Sequence, residues 1–121
     1  MRFNGEVKGV RERLIKGLLD LTIISVLLNC GALSGYRLIE KIYEHTGVFV
    51  APSALYPTLH AMVKRRLVKR VPGDGKGSLF MATSEGAHWA FKAIVELGEA
   101  THLLRAITSC AGKNEEASPL I

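Results

Sequence analysis

The stretch PSALYPTLHAMVKRRLVKRVPGDGKGSLF, Pro52 to Phe80, decides how this chain is read. Its first half has the spacing of an amphipathic helix. Leu55, Leu59, Met62, Val63 and Leu67 recur on one face. The opposite face carries Thr58, His60, Ala61, Lys64 and Arg65, with Tyr56 at the margin. The second half reads as two short strands, Val68–Val71 and Ser78–Thr83, around a glycine-rich turn with Lys76 at its tip. Six of the sixteen basic residues lie between Lys64 and Lys76, and only Asp74 opposes them. That local excess equals the net charge of the whole chain, +5. A small, polar and basic helix face beside a cationic hairpin suits a polyanion. Its cations displace counterions, while the helix reaches base edges in a major groove.

Working outward, 121 residues support one domain, and a hydrophobic content of 48% is ordinary for a globular protein. A pI near 9.5 points to nucleic acid before anionic membrane. Cys30 and Cys110 stand far apart with no CxxC pattern, which argues against a disulfide framework or zinc site and fits a reducing cytoplasm. His45, His60, His88 and His102 are scattered, so no metal site and no cofactor is expected. Gly17 to Leu33 is apolar but carries Asp20, Thr22, Ser25 and Asn29, too polar for a span of about 20 apolar residues. The charged first sixteen residues do not read as a signal peptide, and no membrane partner is expected. Catalysis finds no support. There is no Ser-His-Asp grouping, and Gly73 to Ser78 joins strands where a phosphate loop needs a following helix.

Upstream, the periodicity predicts one helix from Val7 to Leu28, apolar on most sides and therefore covered by a second subunit. Cys30-Gly31-Ala32 ends it. Ser34 is placed to cap a second helix reaching His45, with Tyr36, Ile39, Ile42 and Tyr43 inward and Gly47 as its stop. The third helix is expected to start near Ser53 with Pro57 in its first turn, where a missing amide does least harm. Thr83 or Ser84 caps a last helix running to Ala111, whose wide, alanine-rich apolar surface again asks for a partner. The expected fold class is mainly α with a small β-hairpin: a winged helix-turn-helix with N- and C-terminal dimerisation helices. One domain, 1–111, holds the helix-turn-helix and wing (33–83) and the dimerisation helices (7–29 and 84–111). Residues 112–121 form a flexible tail.

Four segments in this order resemble the PadR-like transcription regulators, in their short form with one C-terminal helix. Gly31-Ala32-Leu33-Ser34-Gly35-Tyr36-Arg37-Leu38 is similar to the family's G-x-L-[HS]-G-Y-x-L opening of the second helix. Pro52-Ser53-Ala54-Leu55-Tyr56-Pro57-Thr58-Leu59 is similar to its P-S-x-x-L-Y-P-x-L recognition-helix start, with one residue fewer before the leucine. Arg66-Leu67-Val68 fits its G-L-I step into the wing, and Leu79 to Gly86 resembles its Y-x-L-T-x-x-G passage into the last helix. The likeness covers residues 14 to 105. It implies a homodimeric, cytoplasmic, DNA-binding repressor, often answering a small hydrophobic or aromatic effector. Ala82 stands where the family has a large aliphatic residue. Leu97 occupies the region where drug-sensing members carry a tryptophan, and the one tryptophan, Trp89, lies in the second turn.

The expected double-stranded DNA contacts are Ser34, Tyr36, Ser53, Tyr56, Thr58, His60, Lys64, Arg65, Lys69, Arg70 and Lys76. His60 meets a base edge or phosphate, or is a solvated histidine. Tyr56 offers its hydroxyl to phosphate while its ring packs on the second helix, or is a half-buried core tyrosine. Ser53 caps its helix, contacts phosphate, or does both. Arg66 is expected to pair with Glu40 or Glu44 instead. The expected dimer interface comprises Leu14, Leu18, Leu21, Trp89, Ile94, Leu97, Leu104 and Ile107, with Trp89 read as dimer core in preference to a ligand shelf. The rival reading is a winged helix that binds only protein.

Overall fold

A computed structural model of the chain describes the backbone of residues 5–73, 75 and 77–114, and side chains from 9 to 109 within that range. The elements run α1 (Gly5–Gly17), α2 (Leu19–Cys30), α3 (Gly35–Thr46), α4 (Pro52–Lys64), β1 (Val68–Pro72), β2 (Ser78–Ala82) and α5 (Ser84–Asn114). The chain divides into two compact units, Met1–Ala90 and Phe91–Ile121.

In the first unit the expected single N-terminal helix is two. Leu18 leaves helical geometry at φ −118°, ψ 49°. Gly17 weakens the helix before it. The Thr22 hydroxyl then donates to the carbonyls of both Leu18 (3.0 Å) and Ile15 (3.4 Å), the kind of side-chain bond that bends a helix. The apolar girth of α2 also has a different cause from the one expected. It packs against α3, α4 and β2 of its own chain. Leu19, Leu21, Ile23, Ile24, Val26 and Leu27 are all buried there, so α2 needs no second subunit to cover it. Each such burial stabilises the fold by about 1.5–3 kcal/mol relative to exposure.

α3 follows its capping chemistry. The Ser34 hydroxyl accepts from the Arg37 amide at 3.1 Å, and Gly47 stops the helix in the left-handed region at φ 76°. The inward stripe is turned from the expected one. Gly35, Leu38, Ile39 and Ile42 are buried, whereas Tyr36 and Tyr43 are 67% and 56% exposed. The reason is Gly35. A Cβ on it would overlap the Tyr56 ring and hydroxyl, so the helix-helix approach is centred there and both α3 tyrosines are left at the rim.

α4 begins one residue earlier than expected. Ala51 is extended, as a residue before proline must be, and Pro52 opens the helix. Ser53 is therefore inside the first turn and caps nothing. Pro57 is the sixth helical residue, in the second turn rather than the first. Its missing amide frees the Ser53 carbonyl, which an exposed position tolerates.

β1 and β2 pair antiparallel with Val68 opposite Ala82 and Pro72 opposite Ser78. Leu33 adds a bridge to β2, exchanging both backbone bonds with Phe80 at 2.8 and 3.0 Å. Between the strands the Gly73 amide donates to the Gly77 carbonyl at 3.2 Å and Gly75 takes φ 90°. Asp74 and Lys76 lie outside the described residues.

Thr83 ties this layer to α5. Its hydroxyl accepts from the Gly86 amide (2.9 Å) as the helix cap and donates to the Arg66 carbonyl (2.8 Å), while its own amide reaches the Leu67 carbonyl (3.1 Å). Gly86 lets the helix start cross closely, since a Cβ there would collide with the Leu67 carbonyl and with Ile24.

The second unit holds the remainder of α5, which runs to Asn114, past the expected Ala111. Gly112 to Asn114 therefore belong to the helix and not to a tail. Phe91, Ile94, Leu103, Leu104 and Ile107 are each at least half exposed. Residues 115–121, the rest of the expected tail, lie outside the described range.

Candidate nucleic-acid interface

The outward face of α4 is open. Ser53, His60, Ala61 and Lys64 are exposed, and Thr58 is half-buried. The Thr58 hydroxyl donates to the Ala54 carbonyl at 3.2 Å, which leaves its oxygen free to accept. Tyr56 is half-buried beside Gly35, and its ring lies 6.0 Å from that of His60 at 48°. One helix back, the Ser34 oxygen is engaged in capping, and the next residue but one, Tyr36, stands out into solvent.

The cations are not equivalent. Lys64, the last residue of α4, is exposed. Lys69 and Arg70 are both exposed, but consecutive strand residues project to opposite faces. Arg70 shares a face with buried Val68, and its guanidinium lies 5.7 Å from the Phe80 ring, covering the core edge. Lys69, opposite Met81, projects from the other face. Arg65, expected among the phosphate contacts, turns back onto its own chain. Its guanidinium sits 5.5 Å from the Trp89 ring and 3.7 Å from the Asp20 carboxylate. Arg66 does not take the partners expected for it, because Glu40 pairs with Arg37 and Glu44 with Lys41, both at 3.2 Å.

The expected dimer residues also separate. Leu14 is 45% exposed and Leu18 half-buried. Leu21 is 7% exposed and already covered by its own chain, so it does not offer itself to a partner. Trp89 is half-buried under Arg65. Ile94, Leu104 and Ile107 are exposed, and Leu97 is half-buried.

No protein-family model and no curated protein matches the sequence. Solved structures do match. A transcriptional regulator from Clostridium thermocellum superposes with a TM-score of 0.71 at 21% identity, covering 77% of this chain and 95% of that one. A PadR-like transcriptional regulator from Bacillus cereus gives 0.68 at 21%, covering 79% and 96%. A PadR-family transcriptional regulator from Eggerthella lenta gives 0.70 at 19%, covering 85% and 88%.

The fold is that of the PadR-like regulators.

In PadR-like terms, α3 and α4 are the helix-turn-helix and β1–β2 the wing. Three features of the chain escaped the sequence reading. The Leu33 bridge makes the hairpin part of a slightly larger sheet. The Arg65 foldback needed knowledge of where Asp20 and Trp89 come together. Arg66 holds φ 65°, the one positive-φ residue among those described that is not glycine. Its only signal was a helix stop with no glycine in it. Among the described residues no three His, Cys, Asp or Glu side chains gather as a metal site, and no helix is long and apolar enough to cross a membrane. Cys30 is a free, half-buried thiol, and the Cys110 side chain lies outside the described range.

Proposed function

We propose that this chain is a PadR-family transcription regulator that binds double-stranded DNA in a sequence-specific way as a cytoplasmic homodimer and acts as a repressor, with no catalytic role. The carrying observation is the open α4 face, with Ser53, His60 and Lys64 exposed. Beside it stand the exposed wing cations Lys69 and Arg70. On this reading α4 enters the major groove. Thr58 and His60 read bases. Ser34, Tyr36, Ser53, Tyr56, Lys64, Lys69, Arg70 and Lys76 meet backbone phosphates. Arg65 serves mainly as a brace.

Dimerisation is supported by the exposed apolar residues of α1 (Val10, Leu14) and of α5 (Ile94, Leu104, Ile107). Two α4 helices in a dimer would then enter successive major grooves about 34 Å apart on a pseudo-palindrome. The same α5 surface is the natural place for a small hydrophobic effector that releases the repressor. Titration of labelled duplex over a salt series tests the reading. A DNA regulator gives a steep negative slope of log affinity on log salt, and a protein-only winged helix gives none.

A further inference from the structure

The end of α4 uses a backbone pattern that ordinarily takes glycine. The Leu67 amide donates to the Met62 carbonyl at 3.0 Å, and inside that loop the Arg66 amide donates to the Val63 carbonyl at 3.0 Å. This paired closure puts the residue between into the left-handed region, where a Cβ crowds the following carbonyl. Leu67, the next residue, is buried as the motif requires. Arg66 cannot relax out of φ 65°. Its own carbonyl accepts from the Thr83 hydroxyl at 2.8 Å, and the next carbonyl accepts from the Thr83 amide at 3.1 Å.

The side chain brings the protomer nothing in exchange. Arg66 is exposed, and among the described residues its guanidinium has no hydrogen bond, ion pair or ring partner. Glu40 and Glu44 are engaged by Arg37 and Lys41, and Asp20 and Trp89 by Arg65. A bulky residue retained in a strained backbone slot, with no use inside the fold, points to a use outside it. Its neighbours suggest which. It follows Lys64 by two residues and precedes Lys69 by three, at the junction between the exposed helix face and the wing.

We propose that Arg66 is a phosphate-contacting residue of the DNA interface, taking the place in the Lys64-Arg65-Arg66 run that Arg65 leaves. This rests on the DNA-binding reading above.

The test compares wild type, Arg66→Gly and Arg66→Lys in thermal unfolding at fixed concentration and in titration of a mixed-sequence 30-base-pair duplex across a salt series. Arg66→Gly should unfold about 3 °C higher, because the backbone strain is gone. The same variant should bind duplex about tenfold more weakly, with a salt slope shallower by about one. Arg66→Lys, which keeps both strain and charge, should match wild type in slope. Opposite signs in stability and affinity exclude a purely structural role. If Arg66→Gly is less stable, the side chain supports the fold and the inference is overturned. If wild type binds steeply and Arg66→Gly binds with unchanged slope, the inference alone fails. A wild type with no salt-dependent binding sinks the DNA reading and this contact with it.

Discussion

Tyr56 of α4 lies against Gly35 of α3 so closely that a single added methyl at Gly35 would overlap its ring and hydroxyl. The contact sets the distance between the two helices of the helix-turn-helix. It also explains why a glycine stands at the first residue of α3, a place where helix propensity alone would disfavour it. Gly35→Ala should destabilise the protein by about 1–3 kcal/mol through overpacking. Tyr56→Phe keeps the ring, so its stability should stay within about 0.5 kcal/mol of wild type. Denaturant midpoints decide this, and equal midpoints for Gly35→Ala and wild type would refute the close approach. Duplex affinity of Tyr56→Phe then reports separately on the hydroxyl.

Thr83 holds the start of α5 to the loop after α4, its hydroxyl donating to the Arg66 and Leu67 carbonyls and its amide to the Leu67 carbonyl, while the same hydroxyl accepts the Gly86 amide as the helix cap. Thr83→Val keeps the shape and removes the hydroxyl, losing the cap and the tie to Arg66 together. The expected loss is about 1–2 kcal/mol. Gly86→Ala, facing a backbone carbonyl that cannot step aside, should cost more than Thr83→Val. Urea unfolding of the two variants checks the order.

Arg65 and Lys69 should separate in salt dependence. Lys69 is exposed on the wing, so Lys69→Ala should weaken all duplexes alike and flatten the salt slope by about one. Arg65→Ala should leave the slope near that of wild type. Its measurable trace is optical, because Trp89 is the only tryptophan and loses its cation. Emission of Arg65→Ala should shift. Asp20→Asn should change stability by less than about 1 kcal/mol, since the pair is half-exposed at 3.7 Å. A flattened slope in Arg65→Ala would return Arg65 to the phosphate contacts.

The exposed apolar face of α5 makes the oligomeric state testable. Wild type should sediment as a dimer of the 13.2 kDa chain, and Ile107→Glu as a monomer with the far-ultraviolet helix signal of the first unit retained. Leu21→Ala should behave in the opposite manner. It should lose about 2–5 kcal/mol of stability, as a buried leucine does, while the dimer persists at low temperature. A wild type that sediments only as monomer overturns the dimer.

Local chemistry was legible before any tertiary contact was known. The Ser34 cap, the Gly47 stop, the strands on either side of the glycine-rich turn and the Thr83 cap all depend on hydrogen bonds within a few residues and on φ preference. The caps and the stop stand where the residue types put them, and the strands differ by one residue each, the first running on to Pro72 and the second ending at Ala82. Positions set by one proline were read less well. Pro52 and Pro57 both suit a helix start, and only one can occupy the first position.

What the residues alone determined is the order of elements, the hairpin, and the concentration of cations between Lys64 and Lys76. Helical period, capping and charge are properties of neighbouring residues, and neighbours are given by the chain. What tertiary structure alone decided is who covers whom. α2 is wrapped by its own domain, Tyr36 is left in solvent, and Arg65 is drawn onto Asp20 and Trp89, residues 45 positions before it and 24 after it. Burial and ion pairing are settled where separate segments meet, and no local pattern carries that geometry.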